Sequence, residues 1–176
     1  MISTARLTLK QFDESFLTAK YVSWLNDKTL MQFSEQRHKL HTIDSCQIYW
    51  KDQLILGNLF LAIVRKEDEC HLGNITATVD KNKSSADLGI LIGEELAIGQ
   101  GYGKEAWCAL MKFLYFEKGI ETITGGAMAV NFPMISIFKS CGMMLVKKQC
   151  NYFKFNRENQ AAVFYQADFE GWEPCI

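Results

Sequence analysis

The hydrophobic positions in the first part of the chain change from a period of two to a period of three to four. Residues 4–10 place Leu7 and Leu9 between polar neighbours, and this alternation predicts a half-buried strand. Asp13 or Ser15 can cap a helix in the next segment, because apolar residues recur there at helical spacing. The apolar stripe of this predicted helix consists of Phe16, Leu17, Tyr21, Val22, Trp24 and Leu25.

A second helix is predicted after a segment of mixed composition. Residues 28–40 show no clear period, which favours a short helix and a loop. Thr42 and Ser45 are candidate caps of the helix that follows, and Gly57 is expected to end it.

Between residues 58 and 92 the hydrophobic period returns to two. Residues 58–66, 70–79 and 86–92 each predict a strand, and a turn at 81–84 separates the last two. Short connections favour antiparallel neighbours, so we expect these strands to form a meander.

The rest of the chain alternates helices and strands. Apolar residues at helical spacing from Ala106 onward predict a long helix that ends at Gly119. A buried strand over 120–130 precedes another helix, which is expected to begin at Asn131. Two final alternating segments predict strands over 143–150 and 161–167.

Composition narrows the class of protein that this pattern can build. A chain of 176 residues with 48% hydrophobic content can form one domain with a sizeable core, and we expect one domain over 1–176. The net charge of −1 gives no general attraction for nucleic acid or an acidic membrane. Neither an export signal nor a membrane-length apolar run is present, so a cytoplasmic protein is expected.

Metal-binding residue types do not cluster in the sequence. The six cysteines include no C-x-x-C pair, and Cys108 and Cys141 fall on apolar faces, so reduced thiols are expected. His38 and His41 are three residues apart but have no third ligand nearby, and we therefore expect no metal site.

The segment Ile98–Ala106 contains three alternating glycines between a predicted strand and a predicted helix. Glycines allow a sharp turn, and the N–H groups that begin the helix favour a phosphate or pyrophosphate. A tight turn with no ligand is the structural alternative. A Walker A loop is excluded by Ile98 and Glu105, and Lys104 does not fit a dinucleotide fingerprint. A phosphorylated cofactor that needs no metal fits the segment best.

The order of elements resembles the GNAT superfamily of acetyl-CoA-dependent N-acetyltransferases, including members of the RimJ and RimL type. The resemblance is most specific over 87–143, where Gly-Gln-Gly-Tyr-Gly resembles the glycine-loop motif and 131–142 resembles the second cofactor-contacting helix. It implies an α/β (α+β) fold with a mixed, mainly antiparallel twisted sheet of about seven strands and about four helices.

The resemblance also implies cofactor-binding residues for acetyl-CoA. The backbone of Ile90, Leu91 and Ile92 would contact the pantetheine arm and the thioester. Asn131 and Phe138 would contact the cofactor from the later helix. The pyrophosphate would lie against the backbone of Gly99, Gln100, Gly101, Tyr102, Gly103 and Lys104. Tyr102 and Lys104 also have structural alternatives, packing beside the loop and extending into water.

Two residues depart from the family pattern. Ile98 stands where the motif usually begins with Gln or Arg, so that side chain's interaction is missing. Phe138 stands where many members have a tyrosine that protonates the departing thiolate, and phenylalanine has no proton to donate. Solvent or another donor would then serve the coenzyme A thiol.

Asp87 is the best candidate for the general base, because it lies just before the cofactor-contacting strand segment. The histone-acetylating members of the superfamily have a glutamate base at the corresponding place. An aspartate near its usual pKa of about 3.9 is a poor base, so this role requires burial or a nearby negative charge. His71, on the neighbouring predicted strand, is an alternative base. Structural roles are the alternative for both residues.

Candidate acceptor-binding residues lie in the first helix and the mixed segment after it, which resemble acetyltransferases of bacterial amino-sugar and polysaccharide pathways. Glu35, Arg37 and His38 can bind hydroxyl or phosphate groups, and Trp24 or Phe33 can cover a sugar ring. Core packing for the aromatic residues and solvent exposure for the charged ones are the alternatives.

The preferred acceptor is a small-molecule amine, such as a nucleotide-linked amino sugar. A protein N-terminal amine, as used by RimJ-like and RimL-like enzymes, is the second candidate. A coenzyme A-binding protein without catalysis is the third, because Phe138 lacks a proton donor. The fold class is also compatible with a homodimer.

Overall fold

The computed structural model describes residues 1–80, 82, 84–156 and 158–169, which form eight strands and four α-helices. The elements of the first half are β1 (Ile2–Ser3), β2 (Leu7–Gln11), α1 (Ala19–Asn26), α2 (Ile43–Ile55), β3 (Leu59–Arg65), β4 (His71–Asp80) and β5 (Ser85–Ile92). Those of the second half are α3 (Tyr102–Lys118), β6 (Thr122–Met128), α4 (Phe132–Ser140), β7 (Met144–Phe155) and β8 (Glu158–Asp168).

All eight strands form one sheet in the order β1-β2-β3-β4-β5-β6-β8-β7. Every neighbouring pair is antiparallel except β5 and β6, which are parallel. The predicted mixed, mainly antiparallel sheet is therefore confirmed. It has eight strands rather than about seven, because the short β1 pairs with β2 at the sheet edge.

The parallel pair β5–β6 is short and then opens. Its register runs from Ser85 opposite Thr122 to Asp87 opposite Thr124 and, within the described residues, goes no further. β5 continues beside β4 as far as Ile92, and β6 continues beside β8 as far as Met128. The two strands therefore diverge beyond Asp87 and Thr124, which we call the divergence point.

The helices cover the sheet on two faces, as alternation along β3 demonstrates. Leu61 and Ile63 belong to the core cluster that contains the buried face of α3 and Phe138 of α4. Phe60, Ala62 and Val64 belong to a second cluster with Tyr21 and Trp24 of α1 and Cys46 of α2. A strand buried on both faces is hydrophobic at every position, which explains the continuous apolar run in β3.

Helix boundaries follow the predicted caps with one correction. Thr42 caps α2 in a capping box with Ser45, as predicted, and Gly119 ends α3 with a positive φ of 64°. The first predicted helix, in contrast, is divided in two. Asp13 caps only a single 3-10 turn, and Thr18 is the residue that caps α1, by accepting from the backbone N–H of Tyr21.

Cys46, Cys70 and Cys150 are free thiols, and Cys175 lies outside the described residues. The Cys108 and Cys141 side chains are buried between α3 and α4, with their sulfur atoms 2.9 Å apart. No helix among the described residues is both long enough and apolar enough to cross a membrane.

A pair of glycines on neighbouring strands tests the packing of β4 against β5. A Cβ at Gly73 would lie 2.0 Å from the backbone oxygen of Leu91, whereas one at Gly89 would lie 3.0 Å from the movable hydroxyl of Thr76. Because backbone cannot move aside cheaply, Gly73→Ala is expected to lower the free energy of unfolding by about 3 kcal/mol. Gly89→Ala should change it by less than about 1 kcal/mol. Urea denaturation of both variants measures the difference, and equal losses would contradict this packing.

Candidate functional site

Each glycine of the loop between β5 and α3 has its own structural reason. Gly99 and Gly101 have φ values of 77° and 80°, in the left-handed region that favours glycine. Gly103 does not, but a Cβ there would lie 3.1 Å from Cδ1 of Ile137 and would crowd α3 against α4. Two of the three glycines are therefore required by the backbone conformation, and the third is required by the packing of α3 against α4.

Helix α3 begins directly after the loop, and its N-terminus has no side-chain cap. Gly101 occupies the cap position, and no side chain among the described residues accepts from the first N–H groups of α3. The first helical bond in this turn runs from the Glu105 N–H to the Gly101 oxygen, 3.1 Å away. The unpaired N–H groups before it, at the positive end of a 17-residue helix, fit the pyrophosphate of a cofactor.

Arg6 holds the glycine loop although it lies 94 residues before Gln100 in the chain, and the sequence does not reveal this role. Its Nε lies 2.7 Å from a carboxylate oxygen of Glu105, and its Nη1 donates to the Gln100 oxygen at 3.1 Å. The guanidinium also stacks over the Tyr102 ring, 4.3 Å from the centroid. The Thr4 hydroxyl donates to the same carboxylate at 2.6 Å. These contacts fix the loop and the first turn of α3 against the start of β2.

The contacts with Thr4 and Arg6 change the pKa of the Glu105 carboxyl. Partial burial alone would raise the pKa of its carboxyl, but hydrogen bonds from Thr4 and Arg6 outweigh burial and lower that pKa below the usual value. Glu105 is therefore an anion with its own partners. It leaves the backbone N–H groups at the start of α3 free for a ligand.

A cavity of about 330 Å³ lies on the outer side of the loop. Its lining residues are Ala5, Arg6, Arg65, Lys66, Glu67 and Tyr102. Arg65 pairs with Asp68 at 2.5 Å, Arg6 pairs with Glu105, and Lys66 donates to the backbone oxygen of Thr4. The two arginine side chains of the lining therefore have carboxylate partners, whereas the partner of Lys66 is an uncharged oxygen.

Asp87 lies at the divergence point itself. The Thr124 hydroxyl on β6 donates to its Oδ1 at 2.7 Å, so the two strands are joined by side chains where their backbones separate. The carboxyl is partly accessible to solvent, yet partial burial between the strands raises its pKa, and the Thr124 bond opposes that shift. A carboxyl with a raised pKa where two strands begin to diverge has the properties expected of a base.

His71 is far from Asp87, so the two predicted catalytic residues do not form one site. Thr78 is the partner of Asp87 on β4, and it lies seven residues from His71, which corresponds to ~23 Å along the strand. The His71 Nε2 lies 2.9 Å from Oδ1 of Asn74, and the ring packs 5.0 Å from Phe16. Burial lowers the pKa of His71. This position supports a structural role rather than the predicted catalytic one.

The predicted acceptor-binding residues differ in exposure, because one of them is buried and the others lie at or near the surface. Trp24 is buried, and its ring covers Gly93, where a Cβ would lie 2.1 Å from the indole. The prediction that Trp24 covers a substrate ring therefore does not fit its position. Phe33 packs 5.5 Å from Phe155 at the tip of the β7–β8 hairpin.

Arg37 adds a second contact between the segment that joins α1 to α2 and the β7–β8 hairpin. Its guanidinium donates to the backbone oxygens of Ser34 and Lys154 at 2.8 Å and pairs with Glu35 at 2.9 Å. Glu35 and His38 have exposed side chains. The segment between α1 and α2 and the β7–β8 hairpin therefore touch each other, and the side chains of Glu35 and His38 stay accessible to solvent there.

The predicted cofactor residues after the loop have different environments. Asn131 caps α4, with its Oδ1 accepting from the Met134 N–H at 3.2 Å, and Lys104 is exposed. Ile90 and Ile92 point towards Gly103, and Leu91 packs on the opposite face. Phe138 is fully buried. The edge of β5 from 88 to 92 lies open towards β6, so backbone groups are available there to pair with an extended ligand arm.

Comparisons with known proteins agree with this geometry. The family profile described as acetyltransferase (GNAT) domain matches residues 6–144. A GNAT-family acetyltransferase structure from Bacillus anthracis gives a TM-score of 0.82 at 15% identity, covering 96% of this chain and 98% of that chain. Spermidine N-acetyltransferase from Vibrio cholerae, in complex with CoA and spermine, gives 0.83 at 13% identity, covering 94% and 96%.

A third solved structure is similar over the same extent. RimL, a ribosomal alpha-N-protein acetyltransferase in complex with coenzyme A, gives a TM-score of 0.82 at 15% identity, covering 94% of this chain and 95% of that chain. No curated protein matches the chain by sequence. At these identities the structural likenesses show the fold, and their substrates belong to those proteins.

The Arg6–Glu105 contact makes a pH-dependent prediction. Because the folded-state pKa of Glu105 is lowered, its contribution to stability is present above the unfolded pKa of about 4.3 and is lost as the pH falls further. Glu105→Gln should lower the free energy of unfolding by about 1 kcal/mol at pH 7 and by progressively less in acid. Denaturation across pH measures this. The exposed Glu95→Gln is the control, and a pH-independent loss for Glu105→Gln would refute the assignment.

Proposed function

Because this chain belongs to the GNAT acetyltransferase family, we propose that it transfers the acetyl group of acetyl-CoA to a primary amine of a small molecule. The observation that carries the proposal is the Asp87–Thr124 pair at the divergence point, next to the open edge of β5 that leads to the uncapped N-terminus of α3. An anion cradle, an open strand edge and a candidate base would then lie along one path.

The cofactor would bind mainly through backbone groups. The N–H groups at the start of α3 would hold the pyrophosphate, and the open edge of β5 over 88–92 would pair with the pantetheine arm. Ile98 is exposed and has no polar atom in its side chain, which agrees with binding by backbone. Arg6 would act indirectly by holding the loop in its binding conformation.

Asp87 would remove the proton of the acceptor amine, directly or through one water. Bound acetyl-CoA supplies an activated thioester, so what the protein must add is position, a base and exclusion of competing water. Thr124 would orient the carboxylate and oppose the rise of its pKa, because the hydroxyl donates to Oδ1. The pKa of Asp87, raised by partial burial, makes its carboxylate a stronger base than an aspartate at its usual pKa.

The preferred acceptor is a nucleotide-linked amino sugar. The segment between α1 and α2 contacts the β7–β8 hairpin through Phe33–Phe155 and Arg37–Lys154, which narrows the groove that a peptide would need. Glu35 and His38 remain exposed there and would bind hydroxyl or phosphate groups. A protein N-terminal amine is the second candidate, since RimL, which acts on a ribosomal protein, has a similar fold.

Replacement of the candidate base tests the mechanism. Asp87→Asn should lower kcat/KM by about 100-fold while the acetyl-CoA affinity stays within about twofold, because the carboxamide keeps the shape but cannot take a proton. Glu117→Gln, an exposed change on α3, is the control. Steady-state kinetics and calorimetry measure both quantities. Full activity of Asp87→Asn across pH would remove Asp87 as the base.

Thr124→Val tests the role of the Asp87–Thr124 hydrogen bond independently. Loss of its hydrogen bond should raise the pKa of Asp87 further, so the decline of kcat/KM in acid should begin at a higher pH than in the wild type. An unchanged pH profile would indicate that Asp87 does not control the rate.

A panel of acceptors tests the substrate class. Nucleotide-linked amino sugars, spermidine and a peptide with a free N-terminus are compared by kcat/KM with acetyl-CoA held constant. We expect the highest value for a nucleotide-linked amino sugar. A higher value for the peptide would favour the N-terminal acetyltransferase, and transfer to no amine despite acetyl-CoA binding would favour a non-catalytic coenzyme A-binding protein.

A further inference from the structure

Strand β7 contains two bulges where it pairs with β8. The register shifts first between Leu145 and Lys147. It shifts again between Gln149 and Phe153, and Asn151 inside this second bulge has a φ of 54°, a left-handed conformation that residues other than glycine rarely adopt. Bulges redirect the side chains of a strand and are frequent beside active sites.

Both bulges bring a side chain to the ring of Phe164 on β8. The Lys147 Nζ lies 5.6 Å from the centroid of this ring, and the Tyr152 ring meets it at 86° with the centroids 5.9 Å apart. With the register that holds at Lys147 and Phe164, Tyr152 would lie opposite Asn159, five residues (164 minus 159) or ~17 Å along β8 from Phe164. The second bulge therefore brings Tyr152 back to Phe164.

Lys147, Tyr152 and Phe164, which we call the bulge cluster, lie on the face of the sheet opposite α3 and α4. The neighbours of Phe164 on β8, Val163 and Tyr165, both belong to the core cluster under those helices. Because successive side chains of a strand point to opposite faces, the Phe164 ring lies on the other face, and the two side chains that contact it lie there too.

Gly126 connects the bulge cluster to the candidate base. A Cβ at Gly126 would lie 3.3 Å from the Phe164 ring, so the ring lies against this part of β6. Gly126 follows Thr124 by two residues, about 7 Å along β6 and on the same face. Because the Thr124 hydroxyl donates to Asp87, the carboxylate and the bulge cluster share one face of the sheet.

The bulge cluster is accessible and carries positive charge. Tyr152 exposes 50% of its surface, and Lys147 is also exposed. Lys147 has no ion pair with a carboxylate among the described residues, and the sequence of β7 contains three lysines and no acidic residue. A half-exposed aromatic ring beside such an ammonium group fits a ligand with both an aromatic ring and negative charge. A nucleotide has both, in its base and its phosphates.

We propose that Lys147 and Tyr152 bind the nucleotide part of the acceptor, Lys147 at the phosphates and Tyr152 by stacking on the base. The inference rests on the proposed function and deepens it, because it names residues that recognise the acceptor. Phe164 is a positioning residue, since it contacts both of these side chains. The sugar would lie between the bulge cluster and Asp87, with its amine towards the carboxylate.

Binding of uridine diphosphate to the protein saturated with coenzyme A tests this site without turnover. Coenzyme A occupies the cofactor site, so the nucleotide cannot bind there. Lys147→Gln and Tyr152→Leu should each weaken binding about tenfold in calorimetry, because each removes one contact with the nucleotide.

Lys148→Gln is the matched control for charge. It removes the same charge from the next residue, which lies opposite Val163 and therefore points to the other face of the sheet. Its affinity for uridine diphosphate should stay within about twofold of the wild type. Absence of uridine diphosphate binding to the wild type, or an equal loss in Lys148→Gln and Lys147→Gln, would overturn the proposal.

Inorganic pyrophosphate separates the contribution of charge from that of the ring. It should bind the wild type more weakly than uridine diphosphate does, because it has no base to stack on Tyr152. Its affinity should fall in Lys147→Gln and stay unchanged in Tyr152→Leu. Equal affinities of the wild type for pyrophosphate and uridine diphosphate would contradict the stacking of a base on Tyr152.

Kinetics distinguishes recognition of the acceptor from a structural role. Lys147→Gln and Tyr152→Leu should raise KM for a nucleotide-linked amino sugar about tenfold, with kcat and the affinity for acetyl-CoA unchanged. KM for spermidine, which has neither a base nor a phosphate, should not change. A lower kcat for both acceptors with no change in KM would contradict a binding role.

The outcomes also separate this inference from the proposed function. If calorimetry detects no binding of coenzyme A or acetyl-CoA to the wild type, the proposed function fails and this inference fails with it. If acetyl-CoA binds and an amine is acetylated but uridine diphosphate does not bind, only the inference is refuted.

Discussion

The structure depends on a parallel strand pair that is only three residues long. β5 and β6 pair from Ser85–Thr122 to Asp87–Thr124 and then separate, each continuing beside its antiparallel neighbour. This opens the middle of a sheet without exposing its outer edge, because the hydrogen bonds to β4 and β8 still hold both strands in place. The gap supplies unpaired backbone groups, and the last paired residues supply the carboxyl and hydroxyl groups.

The glycine loop places the N-terminus of α3 at the end of β5, beside that gap. Left-handed φ values at Gly99 and Gly101 turn the chain from β5 into α3, and the missing side chain of Gly103 lets α3 approach α4. The turn is then fixed from outside by Arg6, which contacts Gln100, Tyr102 and Glu105. A ligand held at the start of α3 would therefore be directed along β5 towards Asp87.

Sequence reasoning succeeded where the determining interactions are local. The end of α3 at Gly119 and the cap of α2 at Thr42 were predictable because each depends on residues within one or two turns. Arg6 was missed because it acts on Glu105, 99 residues away, and no local pattern links them. The contact between the Trp24 and His71 rings, 5.1 Å apart, was also hidden from the sequence, because the two residues are far apart in the chain. β7 extends to Phe155, beyond the predicted 143–150, because mostly exposed residues leave no hydrophobic alternation to mark its end.

The central claim is that acetyl-CoA binds through backbone groups of the α3 N-terminus and of the open edge of β5. Residue-resolved amide hydrogen exchange with and without acetyl-CoA tests this most directly. We predict slower exchange in 99–104 and at the amides of 88–92 that face β6, with Phe60 to Val64 of β3 unchanged. Protection confined to the cavity around Arg65 and Lys66, with none along β5, would contradict the account.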